Sequence, residues 1–305
     1  MTILLTGANG QVGWELQRAL APRGEIVALD MAHLDLANSD AVRARVRELG
    51  PRIIVNAAAY TAVDRAESER ELARAVNAVA PGVLAEEAGR LDAILVHYST
   101  DYVFDGEKAG PYTEDDAPNP LSSYGRSKLD GERGIAASGC RHLTLRTSWV
   151  YGTRGRNFLL AMLGAARERR ALRVVDDQIG APTWCREIAD ATAALLARPE
   201  LAAPGADGLY HLSAGGFTSW FGFARAIFDS PELVRLGIAR PALEAISTSE
   251  YPTPARRPRN SRLDCDRLES RAGLRLAPWD KALARCMAEV SAGGSIASPG
   301  DAGRA

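Results

Sequence analysis

Two residues four apart, Tyr124 and Lys128 in the run Ser122-Ser123-Tyr124-Gly125-Arg126-Ser127-Lys128, can do acid–base chemistry together. A free phenol loses its proton near pH ~10, which makes it a poor acid or base at neutrality. A lysine ammonium one helical turn away favours the phenolate and is expected to draw that pKa toward the working range. Beside a nicotinamide cofactor, such a phenol gives or takes the carbonyl proton while hydride moves to or from carbon. The spacing alone is common in helices. It gains weight from the glycine-rich N-terminus, Gly7-Ala8-Asn9-Gly10-Gln11-Val12-Gly13.

That turn follows the strand-like Ile3-Leu4-Leu5-Thr6 and opens a helix over Gln11 to Leu20. In this context Gly7, Gly10 and Gly13 allow the tight turn, the approach of backbone to a pyrophosphate, and close helix–sheet packing. The helix N-terminus then offers free N–H groups to phosphates. The plainer alternative is an ordinary strand–helix turn that favours glycine. Asp30 ends the second strand, about 20 residues on, where a carboxylate can accept from ribose hydroxyls and repel a 2′-phosphate. Asp35 and Leu36 can flank an adenine. Ser99-Thr100-Asp101 closes a later strand, 24 residues before Tyr124. The Thr100 hydroxyl can bond a substrate carbonyl and steady the phenol.

The elements that carry these residues alternate between strand and helix, the pattern of a parallel sheet covered on both faces. Strands are expected at 25–30, 52–59, 93–99 and 142–150, with helices from Asn38 or Ser39 to Leu49 and from about 68 to 90. The fold class is α/β: a Rossmann-type doubly wound parallel sheet with a smaller C-terminal substrate-binding region. After Gly152 the rhythm loosens, with helices expected at 157–170 and 186–198 and short strands at 172–175 and 209–212. The run Pro252-Thr253-Pro254-Ala255-Arg256-Arg257-Pro258-Arg259 holds three prolines and three arginines, so it is a loop able to clamp a diphosphate or simply to be solvated. Residues 1–150 are mainly the dinucleotide domain, 151–290 mainly a substrate region interleaved with it, and 291–305 a flexible tail rich in Gly, Ala and Ser.

With 37 Lys and Arg against 38 Asp and Glu, the chain has no general pull toward nucleic acid or membranes. Its 46% hydrophobic residues suit a globular core, and no apolar run reaches membrane-spanning length. Four scattered cysteines without a C-x-x-C pair argue against a zinc site or disulfide framework and fit a reducing cytoplasm. His97, inside an apolar strand, reads as a satisfied interior histidine.

Together these residues resemble the extended short-chain dehydrogenase/reductase superfamily and, within it, the dTDP-4-dehydrorhamnose reductase family, over about residues 1–290. The motifs that carry the resemblance are GANGQVGWELQRAL (7–20), VNAAAYTAVDRAES (55–68), HYSTDYVFDG (97–106), YGRSK (124–128), RTSWVYG (146–152), DDQIGAPT (176–183) and YPTPARRPRNSRLD (251–264). The resemblance implies Tyr124 as proton donor, Lys128 as its partner and a nicotinamide-ribose ligand, and Thr100 as third catalytic member. It implies cofactor contacts at Gln11, Val12, Asp30, Asp35, Leu36, Ala59, Tyr60, Thr61 and Tyr98, and substrate contacts at Thr100, Asp101 and Trp149. The implied reaction is NADPH- or NADH-dependent reduction at C4 of dTDP-4-dehydro-L-rhamnose, in a monomer or homodimer.

Some members of that family dimerise through Mg2+ held by glutamates. Glu15 and Glu289 match two such positions, but the third appears as Arg186, with Glu187 beside it, which puts the metal in doubt. A dehydratase on this fold needs an Asp-Glu pair, whereas Asp101 is followed by Tyr102. An epimerase, another nucleotide-sugar reductase and a non-catalytic nucleotide-binding regulatory subunit stay open as alternatives.

Overall fold

The computed structural model describes residues 1–198 and 208–293. Its first half alternates as expected: β1 (Thr2–Thr6), α1 (Gln11–Leu20), β2 (Glu25–Leu29), α2 (Ser39–Leu49), β3 (Ile53–Asn56), α3 (Arg70–Arg74), α4 (Ala80–Arg90), β4 (Ile94–Thr100), α5 (Ser123–Ser138) and β5 (His142–Thr147). The second half supplies β6 (Val150–Tyr151), α6 (Phe158–Glu168), β7 (Ala171–Val175), β8 (Ile179–Gly180), β9 (Thr183–Trp184), α7 (Cys185–Leu196) and β10 (Gly208–His211). Then come β11 (Thr218–Ser219), α8 (Trp220–Phe228), α9 (Glu232–Arg235), β12 (Ala242–Ile246), α10 (Asp266–Ala272) and α11 (Trp279–Ala292).

Six parallel strands form the main sheet in the order β10-β5-β4-β3-β1-β2. Strand order reverses between β1 and β3, so their C-terminal ends diverge and leave a crevice, the usual ligand position in such sheets. The period-two alternation of β1 sends Ile3 and Leu5 to one face, against Leu16 and Leu20 of α1 and Ile188 and Leu195 of α7. Leu4 faces the other way, toward Val42 and Val46 of α2 and Leu84 of α4. A separate apolar cluster joins α6, α8 and α11 through Leu163, Phe223 and Met287. β10 crosses from the second half to pair with β5, so the C-terminal region completes the sheet.

Four sequence expectations differ in detail. The strand expected at 142–150 stops at Thr147, because Trp149 adopts φ 47, a conformation no strand accommodates. Arg52 and Ala57–Ala59 lie outside β3, which is four residues long. The helix expected at 68–90 starts at Arg70, and a π-helical turn at Ala75–Val79 separates α3 from α4. α11 runs through Ala292, so the expected tail overlaps a helix at 291–292, and its part from 294 on lies outside the described residues. Among the described residues, no helix is long and apolar enough to cross a membrane.

Candidate active site

The crevice at the end of β1 and β3 is a cleft of about 500 Å³. Gly7, Gly10, Gln11, Val12, Asp30, Asp35, Leu36, Ala59, Thr61, Tyr98, Tyr124 and Lys128 all line it. Gly13 and Tyr60 do not. A Cβ on Gly13 would sit 2.0 Å from the Gly7 carbonyl oxygen, so its part is to let α1 lie against its own turn. The Tyr60 phenol turns away to donate to Glu69 at 2.5 Å.

The cleft fits a dinucleotide. Gly7 has φ 73, and any side chain there would strike the backbone of Ala57 and Ala58 on the opposite wall. The N-terminus of α1 has no side-chain cap, and its Gly10, Gln11 and Val12 line the cleft. Its free N–H groups therefore face the cleft, as a pyrophosphate requires. Asp30 is held by Asn9 Nδ2 at 2.6 Å and by His33 Nδ1 at 2.6 Å. The His33 hydrogen bond keeps the carboxyl below its usual pKa, so it presents a charged acceptor to the cleft.

Tyr124 and Lys128 come from the first turns of α5. Ser122 Oγ caps the helix by accepting from Gly125 N at 3.1 Å. Glu67 adds two bonds, accepting from Ser123 N at 2.7 Å and Ser123 Oγ at 2.8 Å. Gly125 lets the helix press onto the turn after β4, since a Cβ there would lie 2.2 Å from the Tyr102 carbonyl oxygen. Tyr102 meets Tyr124 edge-on with centroids 5.6 Å apart.

The charge states differ from the simple expectation. Burial pushes the Tyr124 phenol up to about 12; a hydrogen bond with the Thr100 hydroxyl opposes this, and the Asp101 charge adds to it. No hydrogen bond joins Lys128 to the phenol among the described residues. Its Nζ donates to the Tyr98 carbonyl at 2.6 Å and lies 3.1 Å from His97 Nε2. Burial lowers the Lys128 pKa to about 8, with Glu132 pulling the other way. Asp101 is pushed up to about 6 by burial, which hydrogen bonds from Ser261 and Thr100 only partly offset. Thr100 Oγ1 donates to Asp101 Oδ1 at 3.1 Å, while Asp101 Oδ2 has no hydrogen-bond partner among the described residues.

Farther along, Trp149 stacks on Trp220 with centroids 3.6 Å apart and planes 8° from parallel. Its left-handed backbone is the kind of local strain that surrounding structure must hold in place. Arg256 and Arg257 line a second cavity of about 530 Å³ with Arg259, Tyr251 and Thr253. Arg257 is already engaged there, donating to both oxygens of Asp64 at 3.1 and 2.8 Å. Arg256 and Arg259 are exposed and make no salt bridge among the described residues.

Glu15 and Glu289 do converge, but on Arg186. The guanidinium donates to Glu15 at 3.0 and 3.1 Å and to Glu289 at 2.7 Å, with a further short contact to Glu289 Oε2. The two carboxylates that would hold a cation are thus already bridged by this chain's own arginine. Glu187 pairs instead with Arg285.

Three site residues escaped sequence reasoning. Glu67 lies 56 residues before Ser123, and nothing in the sequence around it signals its reach to α5. Asn77 sits in the π turn and grips the Tyr60 backbone, accepting from its N–H at 2.9 Å and donating to its C=O at 3.0 Å. Asn56 at the end of β3 links the Thr6 hydroxyl to the His97 imidazole. A π turn is a frequent mark of a functional site, but nothing local in the sequence announces it.

A dinucleotide crevice with a tyrosine and a lysine of one helix at its wall is the arrangement of the extended short-chain dehydrogenase/reductase class. The family model described as RmlD substrate binding domain matches residues 1–292. The chain is 48% identical over 297 residues to dTDP-4-dehydrorhamnose reductase of Burkholderia thailandensis, covering 95% of this chain and 99% of that one. The structure of a Clostridium acetobutylicum dTDP-4-dehydrorhamnose reductase superposes with a TM-score of 0.87 at 36% identity, over 95% of this chain and 99% of the other. The Bacillus anthracis dTDP-4-dehydrorhamnose reductase in complex with NADP gives 0.86 at 35% identity, over 94% and 99%. The chain belongs to the dTDP-4-dehydrorhamnose reductase family.

Proposed function

We propose that this protein reduces the C4 keto group of dTDP-4-dehydro-L-rhamnose to give dTDP-L-rhamnose, the last step of dTDP-L-rhamnose synthesis, using NADPH or NADH. The observation that carries this reading is the meeting of Tyr124 with Thr100 beside Lys128 at a dinucleotide cleft, in a chain of this family. When bound, the reduced nicotinamide supplies the hydride that the carbonyl carbon requires. Gly7, Gly10, Gln11 and Val12 cradle its pyrophosphate, and Asp30 takes the adenosine ribose. Tyr60 contributes backbone held by Asn77, while Asp35, Leu36, Ala59, Thr61 and Tyr98 complete the wall.

Tyr124 rests as the protonated phenol, the state that a proton donor needs. As it gives its proton to the carbonyl oxygen, the Thr100 hydroxyl turns toward the forming phenolate and the Lys128 ammonium stabilises it. Thr100 and Asp101 hold the sugar near its reacting oxygen, and Trp149 forms a wall for it. The exposed Arg256 and Arg259 suit a diphosphate, while Arg257 locks their loop to Asp64. In this reading residues 1–150 serve mainly the cofactor and 151–290 mainly the substrate, in a cytoplasmic enzyme.

The test supplies dTDP-4-dehydro-L-rhamnose with NADPH, and separately with NADH, and follows loss of reduced-cofactor absorbance and formation of dTDP-L-rhamnose. Measurable cofactor binding without turnover of this substrate would refute the reading. Asp30 favours NADH, while the Bacillus anthracis relative was solved in complex with NADP, so the ratio of the two rates decides the preference.

A further inference from the structure

His97 lies buried in the middle of β4, and nothing in the reaction above gives it a task. Its Nε2 is 3.1 Å from Lys128 Nζ, and its Nδ1 is 3.1 Å from the Asn56 amide on β3. Asn56 Oδ1 accepts from the Thr6 hydroxyl on β1 at 2.7 Å. A buried polar chain therefore crosses three adjacent strands, β1, β3 and β4, and ends on the lysine of α5.

Hydrogen-bond valency constrains this chain. The Lys128 ammonium has three protons. The Tyr98 carbonyl takes one, and His97 Nε2 lies where it can take a second. The third is then left for the cleft, which Tyr124 also lines. A neutral imidazole has one donor and one acceptor nitrogen. When the ammonium donates to Nε2, the imidazole proton sits on Nδ1 and must meet the Asn56 carbonyl. When Asn56 donates its NH2 to Nδ1, the orientation found here, the proton sits on Nε2 and faces Nζ. The lysine is then the neutral amine. Each charge state of Lys128 thus matches one tautomer of His97 and one orientation of a buried amide.

We propose that His97 is a positioning residue for Lys128, and that the Thr6–Asn56–His97 chain governs, through the imidazole tautomer, how firmly Lys128 holds its proton. The proposal rests on the reading that Lys128 assists Tyr124. The titratable groups around the pair are Tyr124 and Glu132 on α5 and His142 on β5; β1 and β3 contribute only the neutral Thr6 and Asn56. Burial, and after it the Lys128 charge, holds the imidazole well below its usual pKa, so it answers by changing tautomer, not charge.

The tautomer is read directly by nitrogen NMR of the cofactor-free protein labelled in its four histidines, with His97 assigned from a His97→Gln sample. Between about pH 6 and pH 10, the His97 proton is expected to move from Nδ1 to Nε2 with a midpoint near the Lys128 pKa of about 8. Turnover gives the second readout. His97→Leu removes an acceptor from the ammonium and moves the alkaline limb of kcat toward acid by about one pH unit, and His97→Gln restores it. Asn56→Asp, whose ionised carboxylate only accepts, keeps the proton on Nδ1 and moves that limb toward alkali. A general loosening of the core does not produce opposite shifts. A single His97 tautomer throughout the titration, or unshifted limbs in both variants, would overturn the proposal. Wild-type protein with no turnover would instead refute the reductase reading, and the tautomer titration would still decide this one.

Discussion

The carboxylate of Glu67 accepts both the backbone N–H and the hydroxyl of Ser123, and so fixes the N-terminus of α5 one residue before Tyr124. It reaches the helix from 56 residues upstream, in the 3₁₀ turn at Arg65–Glu67. Removing it in Glu67→Ala frees the first turn of α5 to shift. The expected result is a fall in kcat of about tenfold with cofactor affinity nearly unchanged, and a stability loss of about 1 kcal/mol. Steady-state kinetics and cofactor titration on the same preparation check it, and an equal loss of both properties would point to general unfolding instead.

Tyr124→Phe keeps the ring and deletes the proton. It should lower kcat by about 10²–10⁴-fold while cofactor binding stays within twofold or so. Near-normal turnover would remove Tyr124 from the role of acid.

The pH profile of reduction follows from the two neighbouring groups. Tyr124 stays protonated through neutrality because its pKa is pushed up to about 12. Lys128 carries its charge below about 8 and loses it above. The ammonium stabilises the phenolate that forms as the proton leaves, so kcat should be level at neutral pH and fall as pH rises through about 8. A profile flat to pH ~10, near the ordinary lysine pKa, would mean that Lys128 is not the controlling group.

Asp101 is a stability cost held at the site. The folded protein keeps its proton up to about pH 6, whereas an ordinary aspartate releases it near 3.8. Stability therefore falls as pH rises through that window, and above it the buried charge remains a penalty. Asp101→Asn should raise stability by about 1–3 kcal/mol at pH ~7.5, lower kcat/KM, and leave stability little changed at pH ~4. Denaturant melts at the two pH values supply the comparison.

Arg186 makes a cation at Glu15 and Glu289 unnecessary. EDTA should leave activity and melting temperature unchanged, and added Mg2+ should not raise either. Arg186→Ala leaves the buried Glu15 facing Glu289 with only Arg18 nearby, and should cost about 1–3 kcal/mol. Recovery of that loss by Mg2+ would show that the two carboxylates can act as metal ligands once the guanidinium is gone.

Legibility in the sequence tracks how local each signal is. The Gly7–Gly13 turn, the helix start at Asn38 or Ser39 and the alternation from β1 to β5 are all written within a few neighbouring residues, and they predict the sheet well. The Tyr124–Lys128 spacing is equally local, but the direction of the lysine is not. It depends on His97 and the Tyr98 carbonyl, 31 and 30 residues away. Arg257 looks like a free phosphate ligand until its partner Asp64 is seen, 193 residues earlier. The bend at Trp149 is set by Trp220 stacking and by Gly180, whose missing side chain makes room for the indole. No window of the sequence contains those contacts.

Because β10 belongs to the second half of the chain, the outer edge of β5 has no neighbour until residues 208–211 have been made. At ordinary rates of synthesis that interval lasts several seconds. During it the nascent chain carries an unpaired strand rich in Leu and Thr, open to pairing with another copy. A gene fragment ending near residue 150 would make that interval permanent. Such a fragment should collect as insoluble material even though it contains the glycine turn, Tyr124 and Lys128, and pieces of the gene exchanged between relatives should stay soluble only when β5 and β10 travel together.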